Sequence, residues 1–216
     1  MNNEIIIEVN EVFKKYDDAT VLDNVSLEIE KGKIYGLVGR NGSGKTVLMK
    51  CICGLIKPTS GEVKVAGKTV GKDVDIPEDI GVIIETPGFI PNYSGFKNLK
   101  LLASVRNKIS NEEIRKSMEI VGLEPKSRKH VGKYSLGMRQ KLGIAQAIME
   151  KPKILILDEP MNGLDNQGVA DMRKLFLKLK EQGRTMLVAS HNREDIDVLC
   201  DEVYEMDHGI LTTERK

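Results

Sequence analysis

The sequence predicts an α/β fold: a mostly parallel sheet, an N-terminal antiparallel β-subdomain and an inserted helical subdomain. Three observations carry this prediction. Short apolar runs at 34–38, 153–157 and 185–189 read as strands buried on both faces, with helical stretches such as 169–180 between them. Alternating, β-branched segments at 5–12 and 21–29 read as strands with one wet face. From about 98 to 146 the pattern turns helical and holds no buried strand. Strand, helix and strand in alternation argue for parallel pairing.

Taken in order, Ile5-Ile6-Ile7-Glu8-Val9-Asn10-Glu11-Val12 and Val21-Leu22-Asp23-Asn24-Val25-Ser26-Leu27-Glu28-Ile29 form the antiparallel subdomain, joined by Glu62-Val63-Lys64-Val65-Ala66-Gly67. Ile34-Tyr35-Gly36-Leu37-Val38 feeds a glycine-rich loop and a helix that begins near Lys45. The helical subdomain, approximately 90–146, breaks near 122–125 and is inserted in a single domain spanning 1–216. Near the end, 202–211 reads as two strands around an Asp207-His208-Gly209 turn, with no regulatory domain expected beyond it. No internal repeat or low-complexity segment interrupts this order.

At 216 residues the chain is long enough to bury a core within one domain. With 40% apolar and 30% charged residues it has the composition of an ordinary soluble protein. The net charge of +1, from 33 basic and 32 acidic residues, gives no field favouring nucleic acid or anionic lipid. Met1-Asn2-Asn3-Glu4 lacks a secretion signal, and no apolar run nears the roughly eighteen residues that span a bilayer, so a cytoplasmic location is expected. Cys51, Cys53 and Cys200 lack the spacing of a zinc site or disulfide framework and read as small buried apolar residues.

Chemistry enters at Gly39-Arg40-Asn41-Gly42-Ser43-Gly44-Lys45-Thr46, a full match to GxxxxGK[ST] with a buried strand before it and a helix after. Glycines let the backbone wrap a phosphate so that successive N–H groups point inward, and the helix adds its positive end. Lys45 can then reach the β- and γ-phosphates, and the Thr46 hydroxyl can bind Mg²⁺. Downstream, Ile154-Leu155-Ile156-Leu157 ends in Asp158-Glu159-Pro160, which places a carboxylate at a strand end where it can hold a magnesium-bound water. Successive residues point in different directions, so Asp158 and Glu159 need not share a task.

Between these elements, Tyr134-Ser135-Leu136-Gly137-Met138-Arg139-Gln140 resembles the signature motif of ABC-type ATPases. Asn162-Gly163-Leu164-Asp165 resembles that family's loop to a partner subunit. Over essentially its whole length the chain resembles an ATP-binding subunit of an ABC transporter, which implies a P-loop NTPase core, ATPase activity, and ATP and Mg²⁺ as cofactors. The resemblance puts Gly39, Asn41, Gly42, Ser43, Gly44, Lys45, Thr46 and Val47 around the phosphates, and Thr46 and Asp158 at the metal. It makes Glu159 the general base and His191 the residue that touches the γ-phosphate. Tyr16 would stack on adenine, although by its chemistry alone it is equally an ordinary half-buried strand residue. His191 likewise owes its role to its place after Thr185-Met186-Leu187-Val188-Ala189-Ser190, because a lone histidine is more often structural. His130 and His208 are expected to be solvated. Val47 stands where the family commonly has a second hydroxyl, which removes a hydrogen bond to the α-phosphate worth about 1 kcal/mol.

In that family two subunits pack head to tail, so Ser135 and Gly137 would meet the ATP of a partner. The expected assembly is a homodimer, or a pair with a related ATPase subunit, held on the inner face of the cell membrane by separate transmembrane permease subunits. Two departures stand out. The common signature LSGGQ becomes Tyr134-Ser135-Leu136-Gly137-Met138, with Gly137 expected to approach phosphate and Leu136 to point away. Glu85, in Ile80-Gly81-Val82-Ile83-Ile84-Glu85-Thr86-Pro87-Gly88-Phe89, stands where the family has a glutamine that ligates Mg²⁺; a surface glutamate in another register is the alternative. A glutamate there adds a negative charge at the metal. Together these departures resemble the subfamily of bacitracin and lantibiotic immunity, which implies export of antimicrobial peptides. The competing class is a non-transport ABC ATPase acting on ribosome or DNA. The short single cassette and the neutral charge, which also argues against a nucleic-acid partner, oppose it. A P-loop kinase or GTPase leaves 135–140 unexplained.

Overall fold

A computed structural model describes residues 4–86 and 88–214. Met1, Asn2, Asn3 and Pro87, which belong to the readings of the N-terminus and of the 80–89 segment, lie outside the described residues. The fold is the expected α/β one. β1 (Ile5–Tyr16) and β2 (Ala19–Glu30) form a long antiparallel hairpin, turned at Asp17 in the left-handed region (φ 49). Both strands run beyond their apolar stretches because backbone pairing continues through the wet residues Lys14 and Lys15. β3 (Ile34–Val38) leads into α1 (Lys45–Ile52), after which β4 (Ser60–Val65) pairs with β1 and the two-residue β5 (Lys68–Thr69) pairs with β4.

β6 (Ile80–Ile83) opens the way to α2 (Gly95–Arg106), α3 (Asn111–Ile120) and α4 (Leu136–Ile148). Besides the break near 122–125, the helical stretch breaks at Asn107, which is left-handed, and restarts at Ser110 in a capping box with Glu113. Then follow β7 (Ile154–Asp158), α5 (Asn166–Glu181), β8 (Thr185–Ala189), α6 (Arg193–Leu199), β9 (Glu202–Asp207) and β10 (Ile210–Glu214). β5, β6 and α6 have no counterpart in the expected elements, being four residues or shorter, or in α6 a charged helix of seven residues. The large sheet has the order β10-β9-β3-β8-β7-β6 and is parallel except at β9–β10, while β2-β1-β4-β5 form the antiparallel sheet.

Strand alternation divides the interior into two cores. Tyr35, Leu37, Ile154, Ile156, Leu187 and Ala189 face one side, where Leu48 and Met49 of α1 meet Ile7, Val9 and Val12 of the antiparallel sheet. Ile34, Leu155, Leu157, Met186 and Val188 face the other, against Leu142 and Ile144 of α4, Phe176 of α5 and Ile196 of α6. Both faces of the parallel sheet are therefore covered, the usual requirement for an apolar parallel strand. The three cysteines are buried, as expected, and none is in a disulfide; burial pushes the Cys51 thiol up to about 11 and the Cys53 thiol to about 12.

Candidate functional site

The loop between β3 and α1 holds three glycines at positive φ: Gly39 (152), Gly42 (80) and Gly44 (112). A Cβ on Gly39 would sit 2.1 Å from the Met206 carbonyl oxygen, so the start of the loop tolerates no side chain. The loop is tied to the β9–β10 turn by the Gly209 N–H, which donates to the Ser43 carbonyl at 2.9 Å. Inside it, the Lys45 ammonium donates to the carbonyls of Gly39 (2.7 Å) and Arg40 (2.9 Å). Burial lowers the Lys45 pKa, opposed by the charges of Glu159 and Asp158. Ser43 Oγ is buried without a hydrogen-bond partner. An orphaned hydroxyl and a desolvated ammonium inside a cradle of glycines fit a polyphosphate, which would partner both.

Asp158 follows the alternation of β7 onto the α1 face, and there its Oδ2 accepts from the Thr46 hydroxyl at 2.7 Å. Glu159 is left-handed (φ 48), and that reversal carries its carboxylate elsewhere. Its Oε1 accepts from the His191 N–H at 3.0 Å and its Oε2 lies 2.9 Å from His191 Nδ1. The Glu159 N–H donates to the Ala189 carbonyl at 2.9 Å, pinning this strand end to the end of β8. On the other side Gln140 Nε2 donates to the carbonyls of Glu159 (3.2 Å) and Pro160 (3.0 Å). Gln140 ends the 134–140 signature segment, and the sequence assigns it no separate role. Its signal in the sequence is an amide four residues before Ile144 on one buried helix face.

Asn41, Gly42, Ser43, Gly44, Lys45, Thr46 and Val47 line one pocket with Val21, Asp158 and Glu159. Val21 is a wall residue that sequence reasoning did not single out. Among the described residues no group of three His, Cys, Asp or Glu could hold a metal alone. The hydroxyl and carboxylate of Thr46 and Asp158 are hard oxygen donors that fit Mg²⁺ when phosphate oxygens complete its shell.

Of the other candidates, Gly39 and His191 line a second pocket with Arg40, while Tyr16, Glu85, Ser135 and Gly137 line neither. Tyr16 is exposed at the tip of the β1–β2 hairpin, with the Lys14 ammonium 4.7 Å from its ring centroid. Glu85 is not brought to Thr46 and Asp158: its carboxylate is exposed and pairs with Lys50 at 2.6 Å. Ser135 caps α4, its Oγ accepting from the Met138 N–H at 3.2 Å. His130 and His208 are exposed.

Gly137 also has a packing role within its own chain. A Cβ on Gly137 would lie 2.7 Å from the Gly163 carbonyl oxygen, so this glycine serves close packing within the chain, against the 162–165 loop. Leu136 is exposed, and a Cβ on Gly163 would meet its Cγ at 2.4 Å. The leucine lies over that loop. Gly137→Ala is accordingly expected to cost about 1–3 kcal/mol of stability, the usual range for overpacking against backbone. Denaturant unfolding measures it; an unchanged midpoint and slope would show that the loop yields freely.

A family profile described as ABC transporter matches residues 22–162. The chain is 47% identical to the uncharacterized ABC transporter ATP-binding protein YybJ of Bacillus subtilis (strain 168), covering 98% of this chain and 97% of that one. It is 43% identical to the bacitracin transport ATP-binding protein BcrA of Enterococcus faecalis (98% and 69% covered), and 35% identical to the lantibiotic transport ATP-binding protein SrtF of Streptococcus pyogenes (98% and 91%). Among solved structures, the dimeric post-hydrolysis ATP-binding cassette MJ0796 bound to ADP and Pi superposes with a TM-score of 0.87 at 23% identity, covering 98% of this chain and 100% of that one. The chain belongs to the ABC transporter family. Within it the chain is an ATP-binding subunit and an ATPase, and bacitracin and lantibiotic transport proteins are among its relatives. Among the described residues no helix is long and apolar enough to cross a membrane.

Proposed function

We propose that the chain hydrolyses ATP as half of a head-to-tail dimer and drives a separate transmembrane permease that exports antimicrobial peptides. One observation carries the assembly: Ser135, at the N-terminus of α4, is absent from the residues lining the pocket that holds Lys45, Thr46, Asp158 and Glu159. A second copy is the natural source of a signature serine for that pocket. Relatives that transport bacitracin and lantibiotics support the peptide class, and the permease is the partner that the family implies.

In this reading the loop N–H groups and Lys45 hold the phosphates, and the ring of Tyr16 takes the adenine. Thr46 and Asp158 would hold Mg²⁺, which neutralises charge on the β- and γ-phosphate oxygens. Glu159 accepts a proton from the attacking water, while His191, bonded to both of its carboxylate oxygens, fixes the direction in which that carboxylate faces. The Ser135 hydroxyl and the N-terminus of α4 face the partner's γ-phosphate. Because each site needs two chains, steady-state ATPase rate per subunit is expected to rise with protein concentration until dimers saturate. A rate per subunit that stays constant on dilution through the micromolar range overturns the shared site.

A further inference from the structure

We propose that Arg173 is a positioning residue for hydrolysis: its guanidinium fixes the first turn of α6, and with it the place of His191 just ahead of that helix. The inference rests on the reading of Glu159 and His191 as the pair that handles the attacking water. β8 ends at Ala189, and Ser190, His191 and Asn192 join it to α6 at Arg193. The His191 side chain is 67% exposed, so the core does not hold it. Its place is set by Glu159 on one side and by the start of α6 on the other. The link is bonded to that start: the Asn192 N–H donates to Ser190 Oγ at 3.1 Å, and Asn192 Oδ1 accepts from the Glu194 N–H at 3.0 Å. A shift of the turn is therefore passed on to His191.

Arg173, midway along α5, holds the turn with its whole fork. Its Nε and Nη2 donate to Asp195 Oδ1 at 2.8 and 2.6 Å, and its Nη1 donates to Glu194 Oε1 at 3.0 Å. Asp195 is 2% exposed, so this contact is desolvated, unlike an ion pair on the surface. A planar fork on two consecutive carboxylates fixes the rotation of the turn as well as its distance from α5. Lys180, seven residues further along α5, ties the opposite end of α6 through Asp201, whose other oxygen accepts from the Ile34 N–H at 2.8 Å. The helix is thus fastened at both ends, and Arg173 fastens the end that carries His191. Removing the guanidinium leaves the buried charge of Asp195 uncompensated, and the turn moves until water reaches it.

The test uses the full chain at concentrations that saturate the dimer and reads kcat beside ATP affinity from equilibrium titration. Arg173→Met is expected to lower kcat about 10- to 100-fold, the scale of a small misplacement at a reacting centre, with ATP affinity unchanged. Lys180→Gln, which removes the other tie, should lower the thermal midpoint and keep kcat. In a His191→Ala chain, adding Arg173→Met should cost no further kcat, because both changes act through one group. An unchanged kcat in Arg173→Met, a further loss in the His191→Ala chain, or an equal loss in Lys180→Gln overturns the role of Arg173 alone. If His191→Ala itself keeps the parent's kcat, the reading of His191 falls with it. Should circular dichroism show Arg173→Met unfolded, Arg173→Lys carries the test: the charge stays, but one ammonium does not span both carboxylates. A smaller loss of kcat at unchanged ATP affinity is then expected, and a kcat equal to the parent's overturns the proposal.

Discussion

Glu159→Gln is expected to slow ATP hydrolysis by about 10²–10⁴-fold, the usual contribution of a positioned general base, while leaving ATP bound. The amide keeps a carbonyl oxygen that can accept from the His191 N–H, as the carboxylate does at 3.0 Å, so the strand end should keep its shape. What it loses is the capacity to take a proton. The phosphate loop and Thr46–Asp158 pair are untouched, so the variant should accumulate as an ATP-bound dimer. Single-turnover hydrolysis measures the first effect, and light scattering with saturating ATP and Mg²⁺ measures the second. Near-normal turnover would remove Glu159 from the chemistry; a monomer under those conditions would remove the dimer.

Lys45→Met should weaken ATP binding by about 10–150-fold, the equivalent of one charge-assisted hydrogen bond of roughly 1.5–3 kcal/mol. In the folded chain the ammonium is buried and held by the Gly39 and Arg40 carbonyls, with its pKa lowered by desolvation. That arrangement keeps a charge inside the loop at a cost, which a phosphate offsets. Methionine matches the length of the side chain and removes only the charge and the donors. Equilibrium titration with ATP gives the ratio directly, and an affinity equal to the parent's would show that Lys45 does not reach the nucleotide. Thermal unfolding of the free variant checks the cost of removing the ammonium from the Gly39 and Arg40 carbonyls, the second of which still accepts from the Ser43 N–H at 3.2 Å.

Much of the fold was legible because buried parallel strands are nearly continuous apolar runs: Thr185–Ala189 forms β8 residue for residue. β6 escaped notice because four residues with Gly81 in their midst carry no period. That glycine is there because a Cβ would lie 2.1 Å from the Ala147 carbonyl oxygen, a closeness between β6 and α4 that no local pattern records. α6 was missed for another reason. Arg173 of α5 reaches across to the buried carboxylate of Asp195 at 2.6 Å, so an acidic helix is stabilised by a partner twenty-two residues away. The phosphate loop could be read in place because its glycines, lysine and threonine act through the backbone of one turn.

By itself the sequence determined the strand and helix periods, the order of the loop, signature and strand-end carboxylates, and hence the family. These depend on contacts within a few residues, where chain spacing dictates geometry. Tertiary structure decided which groups meet. Alternation along β7 sends Asp158 to Thr46 on the α1 face, while a left-handed turn sends Glu159, its immediate neighbour, to His191. It also set Gly137 against Gly163 and Glu85 on Lys50. Such partners are chosen by sheet order and register between distant segments, and neither is written in the local pattern of residues.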